Sequence, residues 1–338
     1  MDLNFIWFIL ITILFIGYVV LDGFDLGVGM NHLEFKSEKS RRISINSIGP
    51  VWDANEVWLI TAGGALFAAF PNVYATIFSG FYTAFMLFLL VIIGRAISIE
   101  FRSKVDSIRW KKIWDAIFCI SSYLITLLLG ISLGNIVQGI PIEYNREFTG
   151  SFWTLLNPYA IYVGLVAILL LKFHGKLYLL NKTDTIFQEK HSNNLKKLWL
   201  FSFGSTLLLH LWTIIQYSNN LINYYENGGF FLIPILALLF LIISRILIIS
   251  KKYYYAFLTS SFSLAFLILE SAIMIFPNLV PSTINPDFSL SIYNSSSSEL
   301  TLYTMFIIAC IGIPLLLLYK VIIYSAFKGK VEIDSTSY

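Results

Sequence analysis

Four carboxylates lie inside or beside long apolar stretches near the amino terminus, where charged side chains are costly. Asp22 and Asp25 are three residues apart in one stretch, and Asp53 and Glu56 are three residues apart at the start of the next. Residues with this spacing lie on one face of a helix. Ionisable groups within a membrane-spanning helix commonly serve ion or proton transfer. The spacing therefore predicts two carboxylate pairs that could relay protons.

The two pairs differ in the structural roles that could explain them. Pro50 is well placed as the first residue of a helix, so that Asp53 would fall in the first turn, where the helix dipole favours a carboxylate. A structural role for Asp53 is as good an explanation as a functional one. Asp22 and Asp25 lie near a helix carboxyl end, where the dipole opposes them. Because glycines around Asp25 would let another helix approach closely, we expect a functional or inter-helix role for it.

Two further polar residues in apolar stretches are weaker candidates. Glu270 could belong to the relay or could bond a neighbouring helix, and both alternatives stay open. His210 is the one histidine well inside an apolar stretch, and such a residue is more often a hydrogen-bonded packing residue than a ligand. The sequence has no pair of mid-membrane histidines, no C-x-x-C-H motif and no nucleotide-binding glycine loop. We predict that this chain alone binds no haem and no metal.

Composition indicates the class of protein. The 338 residues are 57% hydrophobic and only 13% charged, whereas a soluble domain has about 25% charged residues. Mean hydropathy is +0.75. These values exclude a soluble enzyme and a disordered chain, and the scattered net charge of +3 gives no reason to expect a nucleic-acid partner. We expect an all-α polytopic membrane protein, with residues 1–338 forming one integral membrane domain.

Nine apolar stretches are long enough to cross a bilayer, which takes roughly 20 residues each. No basic residue precedes the first stretch and no small-residue cleavage site follows it, so we expect a permanent helix rather than a signal peptide. The predicted bounds of the nine stretches are 5–28, 51–70, 74–99, 113–138, 153–178, 197–217, 229–250, 254–276 and 299–326.

Lysine and arginine residues predict the orientation. The connections after the first, third, fifth and seventh stretches and the tail carry most of them, whereas the opposite connections carry only Arg146. The positive-inside rule then places the amino terminus outside and the carboxyl terminus inside. We expect the basic residues inside the stretches to extend towards the basic side. These residues are Arg95, Lys172, Arg245 and Lys320.

Two long amino-terminal motifs resemble those of a known family. Residues 21–30 read LDGFDLGVGM, and residues 46–71 read NSIGPVWDANEVWLITAGGALFAAFP. The match continues through FSGFY at residues 78–82, and shorter matches extend it to residues 297–302, over essentially the whole chain. Together these motifs resemble subunit II of the cytochrome bd-type quinol oxidases of bacteria.

The resemblance implies a fold, a partner and a reaction. The fold would be two four-helix bundles plus one peripheral helix, surrounded by lipid in the bacterial cytoplasmic membrane. In such complexes subunit I carries two b-type haems, one d-type haem and the quinol site, and it reduces dioxygen to water while the complex generates a proton-motive force. Subunit II carries no haem, and the carboxylates that match Asp25 and Asp53 are implicated in a proton path from the cytoplasm. The resemblance leaves open a structural quinone and a small single-helix subunit.

Two positions depart from part of the family. Ala54 stands where some members have glycine, and Glu56 stands where some have glutamine. Asp22 and the additional carboxylate of Glu56 are therefore secondary candidates beside Asp25 and Asp53. Two alternatives stay open. One is a secondary transporter, which would usually show repeated halves and interrupted helices. The other is a subunit whose carboxylates only stabilise packing.

Overall fold

The computed structural model describes residues 2–331, which are mostly α-helical. Two short antiparallel strands, β1 (Asn278–Val280) and β2 (Leu290–Ser291), pair in the connection before the last helix. The helices of the described residues are, in chain order, α1 (Leu3–Asn31), α2 (Glu38–Ile48), α3 (Trp52–Ala69), α4 (Pro71–Gly80), α5 (Tyr82–Phe101), α6 (Ile108–Gln138), α7 (Phe152–Leu155), α8 (Pro158–Asn181), α9 (Thr185–His191), α10 (Leu195–Gln216), α11 (Ile222–Glu226), α12 (Leu232–Ile249), α13 (Tyr253–Ile275) and α14 (Glu299–Ala326).

Eight helices of the described residues are long and apolar enough to cross a membrane. They are α1, α5, α6, α8, α10, α12, α13 and α14. Each overlaps a predicted stretch, so the prediction of an all-α polytopic membrane protein is confirmed. The helix α3 matches the remaining predicted stretch in position but is not among the eight, because Asp53, Asn55 and Glu56 occupy its first two turns and lower its hydropathy.

Several predicted helix starts differ from the structure. For example, α6 begins at Ile108 rather than at 113, and α8 begins at Pro158 rather than at 153. The stretch predicted at 74–99 begins at Pro71, a residue type that favours the first helical turn, and α4 continues into α5 through the single turn residue Phe81. The helix predicted to begin at Pro50 begins at Trp52 instead. Asp53 therefore lies in the first turn of α3, as predicted, but Pro50 lies before the helix.

Two groups of four long helices form the body of the protein. In the first group α1 packs against α3 and α6, and α5 packs against α6. In the second group α8 packs against α10 and α13, and α12 packs against α13. The groups meet where α8 contacts α1 and α6, while α14 lies along α1 and α3. This packing corresponds to two bundles plus a peripheral helix, and it places the carboxylate-bearing helices α1 and α3 side by side.

Glycines bring α1 and α8 into backbone contact. A Cβ atom added at Gly27 would overlap the carbonyl oxygen of Leu171, and one added at Gly175 would overlap the backbone of Gly27. A side chain at either position would therefore separate the two helices. The expected close approach of another helix beside Asp25 is confirmed, and the approaching helix is α8.

Charged side chains connect the helix ends on the side of the lysine-rich connections, which is called the basic side below. Arg102, just after α5, donates to Glu38 of α2 at 2.9 and 3.1 Å and also to Asp115 of α6. Asp115 further accepts from Arg41 at 2.9 Å and lies 2.6 Å from Nε2 of His32. Burial lowers the pKa of Arg102, but its hydrogen bonds to Asp115 and Glu38 raise it more, so that its pKa lies above the usual value. The ends of α1, α2, α5 and α6 are thus joined in one layer.

Candidate functional site

A buried ion network joins α1, α3 and α5 in the first helix group. Arg95 of α5 donates to both carboxylate oxygens of Asp22, from Nη2 to Oδ1 at 2.7 Å and from Nη1 to Oδ2 at 3.2 Å. The same Nη1 donates to Oε1 of Glu56 at 3.1 Å. The side chains of Arg95 and Asp22 are fully buried, and that of Glu56 is 15% exposed. One guanidinium is thus shared by one carboxylate from each predicted pair.

A second chain of hydrogen bonds joins α1, α3 and α14. Asn55 donates from Nδ2 to Oδ2 of Asp25 at 2.8 Å. The Oδ1 atom of Asn55 accepts from Nζ of Lys320 at 2.9 Å and from the hydroxyl of Tyr324 at 3.1 Å. Lys320 also donates to the backbone carbonyl of Ala54. Asp25 is fully buried and Lys320 nearly so. The peripheral helix therefore places a positive charge one side chain away from Asp25.

Several buried polar atoms around these networks have no hydrogen-bond partner among the described residues. They include Oδ1 of Asp25, Nε of Arg95, the hydroxyl of Tyr18 and Nε1 of Trp58. Tyr18 lies one helical turn before Asp22, and it packs in one cluster with Trp58. Buried polar atoms are usually hydrogen-bonded, either to protein or to ordered water. These atoms therefore outline a polar region inside the first helix group.

Asp53 lies on the exposed face of α3 rather than in the buried networks. The same face continues with Ile60 and Phe67, whose exposed fractions are 73% and 58%. The structure thus brings three of the predicted carboxylates together inside the protein and leaves the fourth at the adjoining surface.

Arg95 and Lys320 correct an expectation from the sequence. Both were expected to extend towards the basic side, but both turn into the carboxylate cluster instead. A buried carboxylate without a partner is strongly unfavourable, so the carboxylates of α1 and α3 retain these cations in the interior. Lys172, in contrast, does reach Glu34 at 2.9 Å near the end of α1. The signal that identifies Arg95 and Lys320 is a basic residue within an apolar helix of a chain that also has intramembrane carboxylates.

Glu270 and His210 pair with each other in the second helix group. Nε2 of His210 lies 3.1 Å from Oε1 of Glu270, and Nδ1 lies 2.8 Å from the carbonyl oxygen of Thr206. The hydroxyl of Tyr224 donates to the backbone carbonyl of Glu270 at 2.9 Å. Each of the two weaker candidates therefore bonds a neighbouring helix, and both lie in a different helix group from Asp25.

The histidines of the described residues do not fit the role of haem ligands. Both ring nitrogens of His32, His174 and His210 lie within 3.2 Å of a hydrogen-bonding partner. His191, in α9, faces Ser40 at 3.4 Å. Across residues 2–331, no group of three histidine, cysteine or carboxylate side chains is arranged to hold a metal ion. The candidate site is therefore the network of carboxylates and cations itself.

Fold and site define a multi-pass membrane protein with a buried carboxylate network in its amino-terminal helix group. The chain belongs to the cytochrome bd terminal oxidase subunit II family, whose model matches residues 3–327. The resemblance predicted from the two motifs is thereby confirmed. The family makes this chain part of a haem-carrying quinol oxidase complex, an oxidoreductase in which subunit I is the partner. It gives no support to the secondary-transporter alternative.

Relatives are similar over nearly the whole chain. The cytochrome bd-I ubiquinol oxidase subunit 2 of Escherichia coli K12 is 35% identical, with 97% of this chain and 95% of the relative covered. The probable cytochrome oxidase subunit 2 of Haemophilus influenzae is 33% identical, with 98% and 95% covered. The cytochrome bd ubiquinol oxidase subunit 2 of Bacillus subtilis is 32% identical, with 98% and 97% covered. The bd oxidase structure from Geobacillus thermodenitrificans shares the fold, with a TM-score of 0.80 at 18% identity and with 97% of this chain and 99% of that chain covered.

Proposed function

We propose that this chain is the haem-free subunit of a quinol:dioxygen oxidoreductase and that its carboxylate cluster relays protons from the cytoplasm towards subunit I. The observation that carries the proposal is the meeting of Asp22, Asp25 and Glu56 inside one helix group. Asp22 and Glu56 share the buried guanidinium of Arg95, and Asp25 is joined through an amide to the buried cation of α14. Such clusters of ionisable groups within a membrane-spanning protein are typical of proton relays. The family supplies the reaction that consumes the protons.

The proposed path begins at the basic side. The positive-inside rule makes this side cytoplasmic, with α3 as a ninth crossing between α1 and α4. Lys182, just after α8, donates to the carbonyl oxygen of Phe327 at 2.7 Å, so the end of α14 also lies on this side. Asp22 and Asp25 lie in the last three turns of α1, and Glu56 lies near the start of α3. The cluster is therefore close to the side from which protons would be drawn, in the bacterial cytoplasmic membrane.

The cluster contains more carboxylates than cations. Four carboxylates, including the exposed Asp53, adjoin the two cations Arg95 and Lys320, so two positive and four negative charges would give a net charge of −2 if all were ionised. A net charge in a low-dielectric interior is costly, and a bound proton removes part of that cost. Closely spaced carboxylates share such a proton and titrate as a set. This arrangement can accept a proton at one member and release it from another.

The exposed face of α3 is the proposed contact with subunit I. Asp53 lies at one end of this face, and the ring of Phe67 further along contacts that of Tyr74 with centroids 4.9 Å apart. Phe78 stacks on Tyr74 at 4.0 Å and on Phe85 at 4.1 Å. Aromatic surface of this kind is enriched in protein interfaces. Asp53 would then be the group at which a proton leaves this chain.

Electron chemistry belongs to the partner in this proposal. Subunit I would carry two b-type haems, one d-type haem and the quinol site, and would reduce dioxygen to water. The relatives from Escherichia coli and Bacillus subtilis are named ubiquinol oxidase subunits, which supports a quinol as the electron donor. Protons for water would come from the cytoplasm while quinol protons leave on the other side. Because protons would be taken up on one side of the membrane and released on the other, the complex would generate a proton-motive force.

The first test is to purify the affinity-tagged chain from its native membrane in mild detergent. We expect a second polypeptide, b- and d-type haem bands in the reduced-minus-oxidised spectrum, and quinol-dependent oxygen consumption. A colourless chain without oxidase activity would contradict the oxidase assignment.

A purely stabilising role is the second candidate function, and the Arg95 ion pairs favour it because they join three helices. The substitution Asp25→Asn separates the two functions, since it keeps the size of the side chain and removes the proton-accepting group. A relay predicts slow oxygen reduction at normal haem content, whereas a stabilising role predicts loss of haem from the complex. The matched control is Asp106→Asn, because Asp106 is 99% exposed on the basic side.

A further inference from the structure

We propose that Lys320 is a positioning residue that acts through Asn55 and determines which oxygen of Asp25 exchanges protons. The inference rests on the proposed relay and adds to it a role for the peripheral helix α14. Lys320, Asn55 and Asp25 form one continuous chain of hydrogen bonds from α14 through α3 to α1. In this series of hydrogen bonds, Oδ2 of Asp25 accepts from Asn55. The other carboxylate oxygen, Oδ1, is then the atom that gains and loses the proton.

The orientation of the Asn55 amide follows from the chemistry of its neighbours. The ammonium group of Lys320 has only donors, so the side of the amide that faces it at 2.9 Å must be the oxygen. Tyr324 reinforces this orientation with its hydroxyl at 3.1 Å from the same oxygen. The planar amide then turns its NH₂ group towards Asp25. A flipped amide would place NH₂ against an ammonium group and an oxygen against a carboxylate, which are both unfavourable.

The two oxygens of Asp25 are consequently inequivalent. Oδ2 accepts from Asn55 at 2.8 Å, whether the carboxyl group is ionised or neutral, because the amide presents only donors. A proton on Oδ2 would have to face those donors. Oδ1 is buried and has no hydrogen-bond partner among the described residues. The proton therefore binds at Oδ1, while Oδ2 remains the carbonyl oxygen of the neutral group.

Both hydrogen bonds of the Lys320 ammonium group among the described residues go to one turn of α3. One is the bond to Asn55, and the other is to the backbone carbonyl of Ala54, in the same turn of α3 as Asn55. Both contacts thus fix α14 to the turn of α3 that carries the amide. The side chain is 7% exposed, so the cation acts in an environment where its charge is weakly screened.

Infrared difference spectroscopy of the assembled oxidase complex, with haem content measured on each sample, tests the protonation site. The Asp25→Asn variant identifies the C=O stretching band of neutral Asp25 by its loss. We expect Asn55→Leu to move this band to higher wavenumber, because the carbonyl oxygen Oδ2 loses its hydrogen bond. A band at the wild-type position in Asn55→Leu would overturn the assignment of the proton to Oδ1.

The pH profile of oxygen consumption tests the role of Lys320. We expect Lys320→Met to slow turnover about tenfold and to move the alkaline limb of the profile to higher pH, because a cation that favours the ionised carboxylate is removed. We expect Lys320→Arg to restore most of the rate. We expect Lys328→Met, in the exposed residues after α14, to match wild type.

Two outcomes separate this inference from the proposed relay. A wild-type pH profile in Lys320→Met, together with slow turnover in Asp25→Asn, would overturn this inference alone. Wild-type turnover in Asp25→Asn would overturn the proposed relay instead. If Lys320→Met loses haem, the infrared band in the double variant Lys320→Gln/Tyr324→Phe decides, because this variant removes the charge and the hydroxyl donor that fix the amide oxygen. A band at the wild-type position in that variant would overturn the inference.

Discussion

Arg95 and Asp22 form a bidentate ion pair in the interior of the protein, with N–O distances of 2.7 and 3.2 Å. Neither side chain has any exposed surface. The pair joins α5 to α1, and a third bond extends it to Glu56 on α3. The buried carboxylates predicted from the sequence are therefore accompanied by a cation. This cation fixes their positions relative to one another and limits the net charge in the interior.

Removal of Arg95 should destabilise the first helix group. We expect Arg95→Leu to lower the stability of the complex by about 3–5 kcal/mol, because Asp22 and Glu56 lose their buried partner. Thermal unfolding of the purified complex measures the effect. The double variant Arg95→Leu/Asp22→Leu should recover part of it, and the exposed Arg109→Leu is the control. Equal stability of Arg95→Leu and Arg109→Leu would contradict this account of the network.

The contact between α1 and α8 predicts a position-specific effect of added methyl groups. We expect Gly27→Ala and Gly175→Ala to destabilise the protein by roughly 1–3 kcal/mol or more, because each Cβ would overlap the backbone of the other helix. Gly204→Ala is the matched control, since a Cβ there meets no atom within 4 Å. Yield and thermal unfolding measure both. Unchanged stability in Gly27→Ala would show that the helices are further apart than described.

The basic-side cluster predicts that α2 depends on a carboxylate of α6. We expect Asp115→Asn to accelerate amide hydrogen exchange in α2 at least tenfold, because Arg41 and Arg102 lose a charged acceptor. Asp106→Asn removes an exposed partner of Lys111 and leaves the bonds of Arg41 and Arg102 in place, so it should leave exchange in α2 unchanged. If both variants exchange alike, α2 is held by its apolar contacts and not by this cluster.

The pair of His210 and Glu270 should serve packing rather than proton transfer. We expect Glu270→Gln to change the rate of oxygen reduction less than about twofold while lowering the thermal unfolding midpoint, because a mostly buried inter-helix pair loses its charged acceptor. Oxygen consumption and thermal unfolding of the same preparation separate the two effects. A loss of turnover as large as that of Asp25→Asn would instead assign Glu270 to the relay.

The helices could be predicted from sequence because their apolar stretches are long and because lysines and arginines collect in alternate connections. The presence of α3 could be predicted as well, although its polar first turns reduce its hydropathy. The pairing of residues across helices could not be predicted. Arg95 and Lys320 resemble basic residues that extend to the membrane surface. Only the tertiary structure shows that Arg95 faces two carboxylates and that Lys320 faces the amide of Asn55.

The pairing of Glu270 with His210 was missed for a related reason. The two residues are 60 positions apart, on α10 and α13, and no spacing rule connects residues on different helices. The sequence also could not predict which carboxylates are buried and which one is exposed. A helix that buries Asn55 must turn Asp53 outward, because two consecutive steps place these residues on nearly opposite faces. Which face of α3 packs against α1 follows from tertiary structure.

Time-resolved proton uptake tests the central claim most directly. The fully reduced complex is mixed with dioxygen in the presence of a pH-indicator dye, and proton uptake and haem oxidation are followed together for wild type and Asp25→Asn. The relay predicts that proton uptake in the variant is about a hundredfold slower, with the same haem content and the same first, proton-independent step of haem oxidation. Proton uptake at the wild-type rate in Asp25→Asn would contradict a proton path through this chain.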